Sequence, residues 1–228
     1  MKLAIVSRDK KRLLNNIEII KKYRGYLSYK PDIVITLGGD GSFLAAERFF
    51  PGVPKLAIRD QSICNKCDWD NLEEGIKYVL EGKYIIKKIQ KIQVKRNGTA
   101  ADALNDIVIR NAHPTHAIRF KLFINKTQVG TQWIGDGVVI STAFGSEGYF
   151  RSITRTHFED GIGIAFNNTT VHHEPIILKD AKIEIEIIRG EAQVAADNDP
   201  KIYTISEGKR IIIETSKDAA RIVRLKPE

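Results

Sequence analysis

Ile33-Val34-Ile35-Thr36-Leu37-Gly38-Gly39-Asp40-Gly41-Ser42-Phe43-Leu44 runs from a strand-like apolar segment straight into three glycines and one carboxylate. Ile33 to Leu37 reads as a buried strand. Ser42 is a good N-cap for the apolar-periodic segment Phe43 to Phe50, so the spacing predicts strand, tight glycine loop, helix N-terminus. Glycines let backbone N–H groups approach a ligand closely, and a helix N-terminus favours an anion. Such a loop suits phosphate. Asp40 would repel phosphate unless a metal ion or a hydroxyl proton stands between them, which points to phosphoryl transfer rather than passive binding. The string is not a P-loop, because no Gly-Lys-Ser/Thr follows, and it does not match G-x-G-x-x-G. A plain strand-to-helix turn that merely needs glycine is the competing reading.

Around this stretch, residues 1 to about 82 alternate strand and helix. Lys2 to Val6 and Leu56 to Ile58 read as strands. Lys10 to Arg24 carries Leu13, Leu14, Ile17 and Ile20 at helical spacing, with Gly25 as its stop, and Asp70 to Glu81 carries Leu72, Ile76, Val79 and Leu80. Alternation of this kind makes a parallel α/β sheet. After Gly82 the period changes to β. Ile85 to Val94, Ala103 to Arg110, Ala117 to Ile124, Gly137 to Thr142, Ile176 to Leu178, Ile183 to Ile188, Glu191 to Ala196 and Ile211 to Thr215 read as strands, with Asn125-Lys126-Thr127 as a hairpin turn. The expected division is an α/β domain over 1–82 and an all-β domain over 83–215. The final run, Arg221 to Leu225, either closes the second domain or returns to the first.

The chain has 228 residues, 43% of them hydrophobic, enough for one large core or two smaller ones. No apolar run reaches the length of a membrane span, and Met1 to Val6 reads as a first strand rather than a leader. Two cysteines without a secretory signal fit a reducing, cytoplasmic setting. The net charge of +8 attracts anions, nucleotides and nucleic acids alike. No basic run exceeds three residues and no aromatic residues interleave with a basic ribbon, so most of the charge reads as solvated surface and no nucleic-acid or membrane partner is expected.

Two further motifs carry chemistry. Leu104-Asn105-Asp106-Ile107 places adjacent polar side chains where a strand begins, and neighbours on a strand point to opposite faces, so one reaches a ligand while the other holds the loop. An ordinary Asn-Asp turn is the bland alternative. Gly135-Asp136-Gly137-Val138-Val139-Ile140-Ser141-Thr142-Ala143-Phe144-Gly145-Ser146-Glu147-Gly148-Tyr149 sets a glycine-flanked carboxylate before a strand and hydroxyls, glycines and an aromatic ring after it. A loop of that kind offers hydrogen bonds to a base edge; a glycine-rich β-turn is the alternative.

The first motif resembles the Gly-Gly-Asp-Gly-(Thr/Ser) string shared by NAD kinases, diacylglycerol and sphingosine kinases and 6-phosphofructokinases. In this order and spacing the three motifs resemble the NAD kinase family, which has Asn-Glu or Asn-Asp before a strand and then Asp-Gly-(apolar)3-Ser-Thr-x-x-Gly-Ser-Thr-Ala-Tyr. Pro175-Ile176-Ile177-Leu178 is similar to its Arg-Pro-(apolar)3 segment, and Glu207-Gly208-Lys209 to Arg224 to its closing strands. The sequence departs from the pattern at Glu147, at Glu174 in place of arginine, and over Ala57-Ile58-Arg59-Asp60-Gln61-Ser62.

The resemblance implies an N-terminal Rossmann-like α/β domain and a C-terminal β-sandwich domain, with the tail over about 216–228 packing back on the first. It implies transfer of a phosphoryl group from ATP with Mg2+, or from polyphosphate, to the adenosine ribose 2′-hydroxyl of NAD, with no tightly bound cofactor. By resemblance Asp40 orients and deprotonates the hydroxyl. Carboxylates are weak bases, ~3.9 for aspartate in peptides, which phosphoryl transfer tolerates because it relies on positioning and charge neutralisation. Gly38, Gly39, Gly41 and Ser42 would cradle phosphates, and Asn105 and Asp106 would bind ribose hydroxyls. Asp136 would reach the nicotinamide end across a subunit interface of a homodimer or homotetramer, and Thr142, Ser146 and Tyr149 would lie around adenine or ribose. A related kinase with another acceptor and a non-catalytic NAD(P)-binding regulator are the rival functions. Cys64-Asn65-Lys66-Cys67 is half of a zinc-type spacing that His113 and His116 would have to complete; no resident metal is expected.

Overall fold

A computed structural model of the chain describes residues 1–59, 66, 67, 69–96 and 98–226. The chain divides into two units, Met1–Ile89 with Ala219–Glu228, and Gln90–Asp218.

In the first unit, β1 (Leu3–Val6), β2 (Ile33–Gly38) and β3 (Lys55–Arg59) pair in parallel, with β2 in the middle. All six residues of β2 are buried, which is why its sequence shows no apolar/polar alternation. The tail of the chain returns here: Ile222, in the last strand, pairs in parallel with Lys55. Leu3, Ile33, Ile35, Leu56, Ile58 and Val223 share a core with Leu72, Ile76 and Val79 of a helix over Leu72–Leu80. Asn71 caps that helix by accepting from the Glu74 N–H at 3.1 Å.

Two local expectations change. The single helix expected over Lys10 to Arg24 is two, α1 (Lys10–Asn15) and α2 (Ile17–Lys22), followed by a 3-10 turn over Arg24–Tyr26. The break falls at Asn16, at φ −107 and ψ 15, whose side-chain amide donates to the Arg12 carbonyl at 3.0 Å. Asparagine competes with the helix by bonding nearby backbone. The expected apolar stripe is correspondingly weak, since Leu14 is 66% exposed. The helix after the glycine loop, α3, spans Asp40–Phe49 and is capped by Gly39; Ser42 lies inside its first turn rather than at its N-cap. Asp40 at the first helical position gains from the positive end of the helix, so the helix starts earlier than the apolar pattern suggests.

Lys55 and Glu47 form a buried ion pair at the far end of α3, and the Lys55 ammonium also donates to the carbonyls of Phe50 and Val53, both at 2.6 Å. Removing one partner of a buried pair strands the other charge, which costs about 3–5 kcal/mol. Glu47→Ala is therefore expected to lower unfolding free energy by about that much, read as a shift in the urea midpoint at constant slope; an unshifted midpoint would show that the two carbonyls suffice for Lys55.

After α4 (Leu72–Leu80), β4 (Tyr84–Arg96) crosses from the first unit into the second. The second unit continues with β5 (Thr99–Ala103), β6 (Asp106–Asn111), β7 (Ile118–Ile124), β8 (Thr127–Gly135) and β9 (Gly137–Thr142). Then come α5 (Tyr149–Thr154), β10 (Ile162–Asn167), β11 (Ile176–Leu178), β12 (Ile183–Arg189), β13 (Ala192–Ala196), β14 (Tyr203–Ile205) and β15 (Arg210–Leu225). One sheet has the order β11-β10-β9-β6-β13-β14, with antiparallel neighbours. The facing layer pairs β8, β7, β12 and the first part of β15, also antiparallel. Val138, Ile140 and Ile164 from one sheet and Phe120, Ile185 and Ile213 from the other meet in a single core, which makes the unit a sandwich. Asn125 and Lys126, at φ 51 and 72, form the β7–β8 hairpin turn. The unit is not purely β: α5 covers the outer face of β9 and β10, where Phe150 packs with Val139, Phe158 and Ala165. No helix among the described residues is long and apolar enough to cross a membrane.

Candidate functional site

The glycine loop sits at the carboxyl end of β2, where ligands bind in parallel sheets. Gly38 has φ +142, and a Cβ there would lie 2.6 Å from Ser42 Oγ, so a side chain is excluded on both backbone and contact grounds. Ser42 Oγ accepts from the Arg8 N–H at 3.4 Å, which ties the segment after β1 to the first turn of α3. Together these place Gly39, Asp40, Gly41 and Ser42 in the wall of a cleft of about 330 Å³ whose other wall is Arg8, Asp9 and Arg12. Arg12 Nε lies 3.4 Å from the Asp9 carboxylate, and its Nη1 is so close to Gly38 that a Cβ there would sit 3.2 Å away. Asp40 Oδ1 accepts from the Lys66 N–H at 3.2 Å. Two carboxylate residues, Asp9 and Asp40, two arginines and a helix N-terminus thus line one cleft. That combination receives a polyanion while keeping a proton acceptor beside it. Arg8 and Arg12 escaped the sequence reading; their signal was position, immediately after a strand parallel to β2.

Cys64 lies outside the described residues. Cys67 is disulfide-bonded, not the reduced cysteine expected, and is no thiolate ligand; a two-residue spacing between cysteines also serves redox pairs. No cluster of three or more His, Cys, Asp or Glu that could hold a metal ion occurs among the described residues. The two carboxylates of the cleft, Asp9 and Asp40, do fit Mg2+, which binds through one or two carboxylates plus substrate phosphates and waters rather than in an all-protein cage.

In the second unit Asn105 and Asp106 form the turn into β6, and its backbone is held on every side. The carboxylate of Asp197 accepts from the N–H groups of Leu104 at 2.8 Å, Asn105 at 2.7 Å and Asp106 at 3.2 Å. Thr142 Oγ1 donates to the Leu104 carbonyl at 2.6 Å, and the Thr142 N–H to the Asn105 carbonyl at 2.9 Å. Gly145 packs so tightly on this turn that a Cβ would stand 2.2 Å from the Asn105 oxygen. Against all this order, Asn105 Oδ1 is buried with no hydrogen-bond partner among the described residues. An orphaned buried acceptor is costly, and a ligand hydroxyl is the donor it lacks.

The remaining sequence candidates fall in three places. Thr142 and Ser146 are 4% and 1% exposed, and the Ser146 hydroxyl bonds the backbone of Ala143 and Phe158, so both build the turn instead of presenting hydroxyls. Tyr149, 38% exposed, opens α5 and its hydroxyl accepts from Asn167 Nδ2 at 3.2 Å. Asp136 accepts from Asn168 Nδ2 at 2.9 Å and lies just before β9, at the opposite end of that six-residue strand from Thr142. At ~3.3 Å per residue this separates Asp136 from the Asn105 turn by roughly 20 Å. Glu147 is exposed, and Glu174 is exposed beside His172 at 3.4 Å.

Residues 104–225 match the family profile described as the ATP-NAD kinase C-terminal domain. An NAD kinase of Methanopyrus kandleri is 27% identical over 204 residues, covering 85% of this chain and 72% of the relative. Among solved structures, an NAD kinase from Archaeoglobus fulgidus in complex with ATP superposes with TM-score 0.81 at 19% identity, over 99% of this chain and 94% of that one. Yeast NADH kinase complexed with NADH gives TM-score 0.83 at 17% identity, over 100% and 84%. Both structures share the α/β-plus-sandwich fold described above.

Proposed function

Because the chain belongs to the ATP-NAD kinase family, we propose that Asp40 is the group that takes the proton from the NAD ribose 2′-hydroxyl, and that Arg8, Arg12 and the Gly39–Ser42 backbone hold the donor phosphates. The reaction is phosphorylation of NAD to NADP with ATP. The observation that carries the assignment of roles is the cleft in which Asp40 stands with two guanidiniums at the N-terminus of α3.

The 2′-oxygen forms a bond to the γ-phosphorus as the bond from that phosphorus to the β,γ-bridging oxygen breaks, and ADP leaves. The hydroxyl proton passes to the Asp40 carboxylate. Charge spread over the transferring group is stabilised by the guanidiniums and by the backbone N–H groups of the first turn of α3. Mg2+, when bound with ATP, would supply further charge neutralisation, held chiefly by the phosphates and waters with the cleft carboxylates Asp9 and Asp40 beside it. Asn105 Oδ1 accepts from a ribose hydroxyl and Asp106 from its neighbour. Asp136 serves the nicotinamide end from a neighbouring subunit of a homodimer or homotetramer; its place at the far end of β9 from Asn105 supports this. A magnesium-dependent enzyme of the cytoplasm completes the reading.

The test is turnover of NAD, NADH and a panel of nucleosides and alcohols with labelled ATP. NAD or NADH is expected to dominate, and label transferred chiefly to another acceptor would overturn the ribose assignment. Arg12→Ala is expected to raise KM for ATP about tenfold, the worth of one charge-assisted hydrogen bond, with KM for NAD unchanged. An unaltered KM for ATP would remove Arg12 from the donor site.

A further inference from the structure

Asp197 takes no part in the roles given above, yet this half-buried carboxylate of the second unit accepts from three backbone N–H groups. It follows β13 at φ +49. Burial pushes its carboxyl above the ordinary value, opposed by the three N–H groups it accepts from and by the charge of Lys91. Those N–H groups belong to three consecutive residues, Leu104, Asn105 and Asp106, more than 90 positions away in sequence. The contact is reciprocal, because the Asp197 N–H donates to the Asp106 carbonyl at 2.9 Å. Resting on the ribose-binding reading of Asn105 and Asp106, we propose that Asp197 is a positioning residue for NAD: its carboxylate fixes the backbone of the Asn105–Asp106 turn and thereby aims both side chains at the ribose hydroxyls.

Three consecutive N–H groups aimed at one point cannot be satisfied by a strand ladder, which turns successive N–H groups to opposite sides. An acceptor outside the ladder is needed, and a carboxylate, with two oxygens and about four lone-pair sites, is the side chain that serves all three. On the carbonyl side the turn is held by Thr142. Release of the Asp197 side frees the turn to rotate while β6 itself remains in its sheet through Ile107 to Asn111. The orphaned Asn105 Oδ1 would then find a partner other than the ligand.

Steady-state kinetics on the full chain test this, varying NAD and ATP separately. Asp197→Asn keeps the oxygen that serves Asn105 and Asp106 and turns an NH2 toward Leu104. Asp197→Ala removes all three bonds. Expected are losses in kcat/KM for NAD of about tenfold and about a hundredfold, graded by the bonds lost, with KM for ATP within about twofold. In an Asn105→Ala background Asp197→Asn is expected to add little, because neighbours acting on one contact are not additive. Melting temperatures, and the isosteric Asn variant, separate this from loss of the folded state. Folded variants with unchanged kcat/KM for NAD, or fully additive losses in the double variant, overturn the role of Asp197 alone. An unaltered chain that does not phosphorylate NAD overturns the ribose reading and this inference with it.

Discussion

Asp40→Asn is expected to lower kcat for NAD phosphorylation by about 10²- to 10⁴-fold, the range that a positioned general base contributes. The substitution keeps the shape of the side chain at the first position of α3 and an oxygen for the Lys66 N–H, 3.2 Å away. What it removes is the ability to receive the hydroxyl proton. KM for NAD is expected to change only a few-fold, since the proposed ribose contacts, Asn105 and Asp106, are left in place. KM for ATP is expected to change only a few-fold, because removing one negative charge from the cleft favours the phosphates while removing a carboxylate beside Mg2+ opposes it. Thermal unfolding of the variant guards against a folding artefact: Asp40 lies in a solvent-open cleft and its replacement by an isostere is a surface-type change, within about 0.5 kcal/mol. A folded variant that turns over at the native rate would end the assignment of Asp40 as base. It would leave the phosphate cleft itself in place, since Gly38, Ser42 and the arginines hold their geometry without the carboxylate.

The parts of this design legible in the sequence are those whose physics is local. Ile33 to Leu37 had to be a buried strand because no charged residue interrupts it and its one polar residue, Thr36, is β-branched, and Gly38 had to be glycine because its φ of +142 excludes a side chain. The order and spacing of the three motifs resemble the family's pattern without reference to any contact in space. Asn16 was misread because an apolar spacing continued across it while its side chain took a helix carbonyl. Thr142 and Ser146 show a second limit: a hydroxyl in a motif carries no direction, and here both bond backbone. Asp197 shows a third. Its three partners lie 91 to 93 residues away, and no periodicity or turn signal in Ala196-Asp197-Asn198-Asp199-Pro200 marks one aspartate above the other. Arg8 and Arg12 fall between these cases, since a basic residue just beyond a strand of a parallel sheet is at the ligand end by topology alone.

Gly145→Ala is expected to be the most damaging single-methyl change on the acceptor side. The added carbon would lie 2.2 Å from the Asn105 oxygen, 2.4 Å from its Cα and 2.5 Å from its carbonyl carbon. All three are backbone atoms, so no rotamer change relieves the contact. The turn cannot simply retreat either, because the Asp197 carboxylate accepts the N–H groups of Leu104, Asn105 and Asp106. Either the 143–148 segment lifts away, breaking the Thr142 and Ser146 bonds that order it, or the Asn105 turn shifts and pulls Asn105 Oδ1 out of position. The first route costs stability, roughly 1–3 kcal/mol as for other overpacked sites. The second costs catalysis, and loss of one well-placed hydrogen bond together with misorientation of the ribose is expected to cut kcat/KM for NAD about a hundredfold or more. Both routes act on residues of the second unit, so under the proposed division of roles KM for ATP is expected to hold. Urea unfolding combined with separate NAD and ATP titrations distinguishes them. A variant with native stability and native kcat/KM for NAD would mean that the close packing of Gly145 on Asn105 has no bearing on how the acceptor is held.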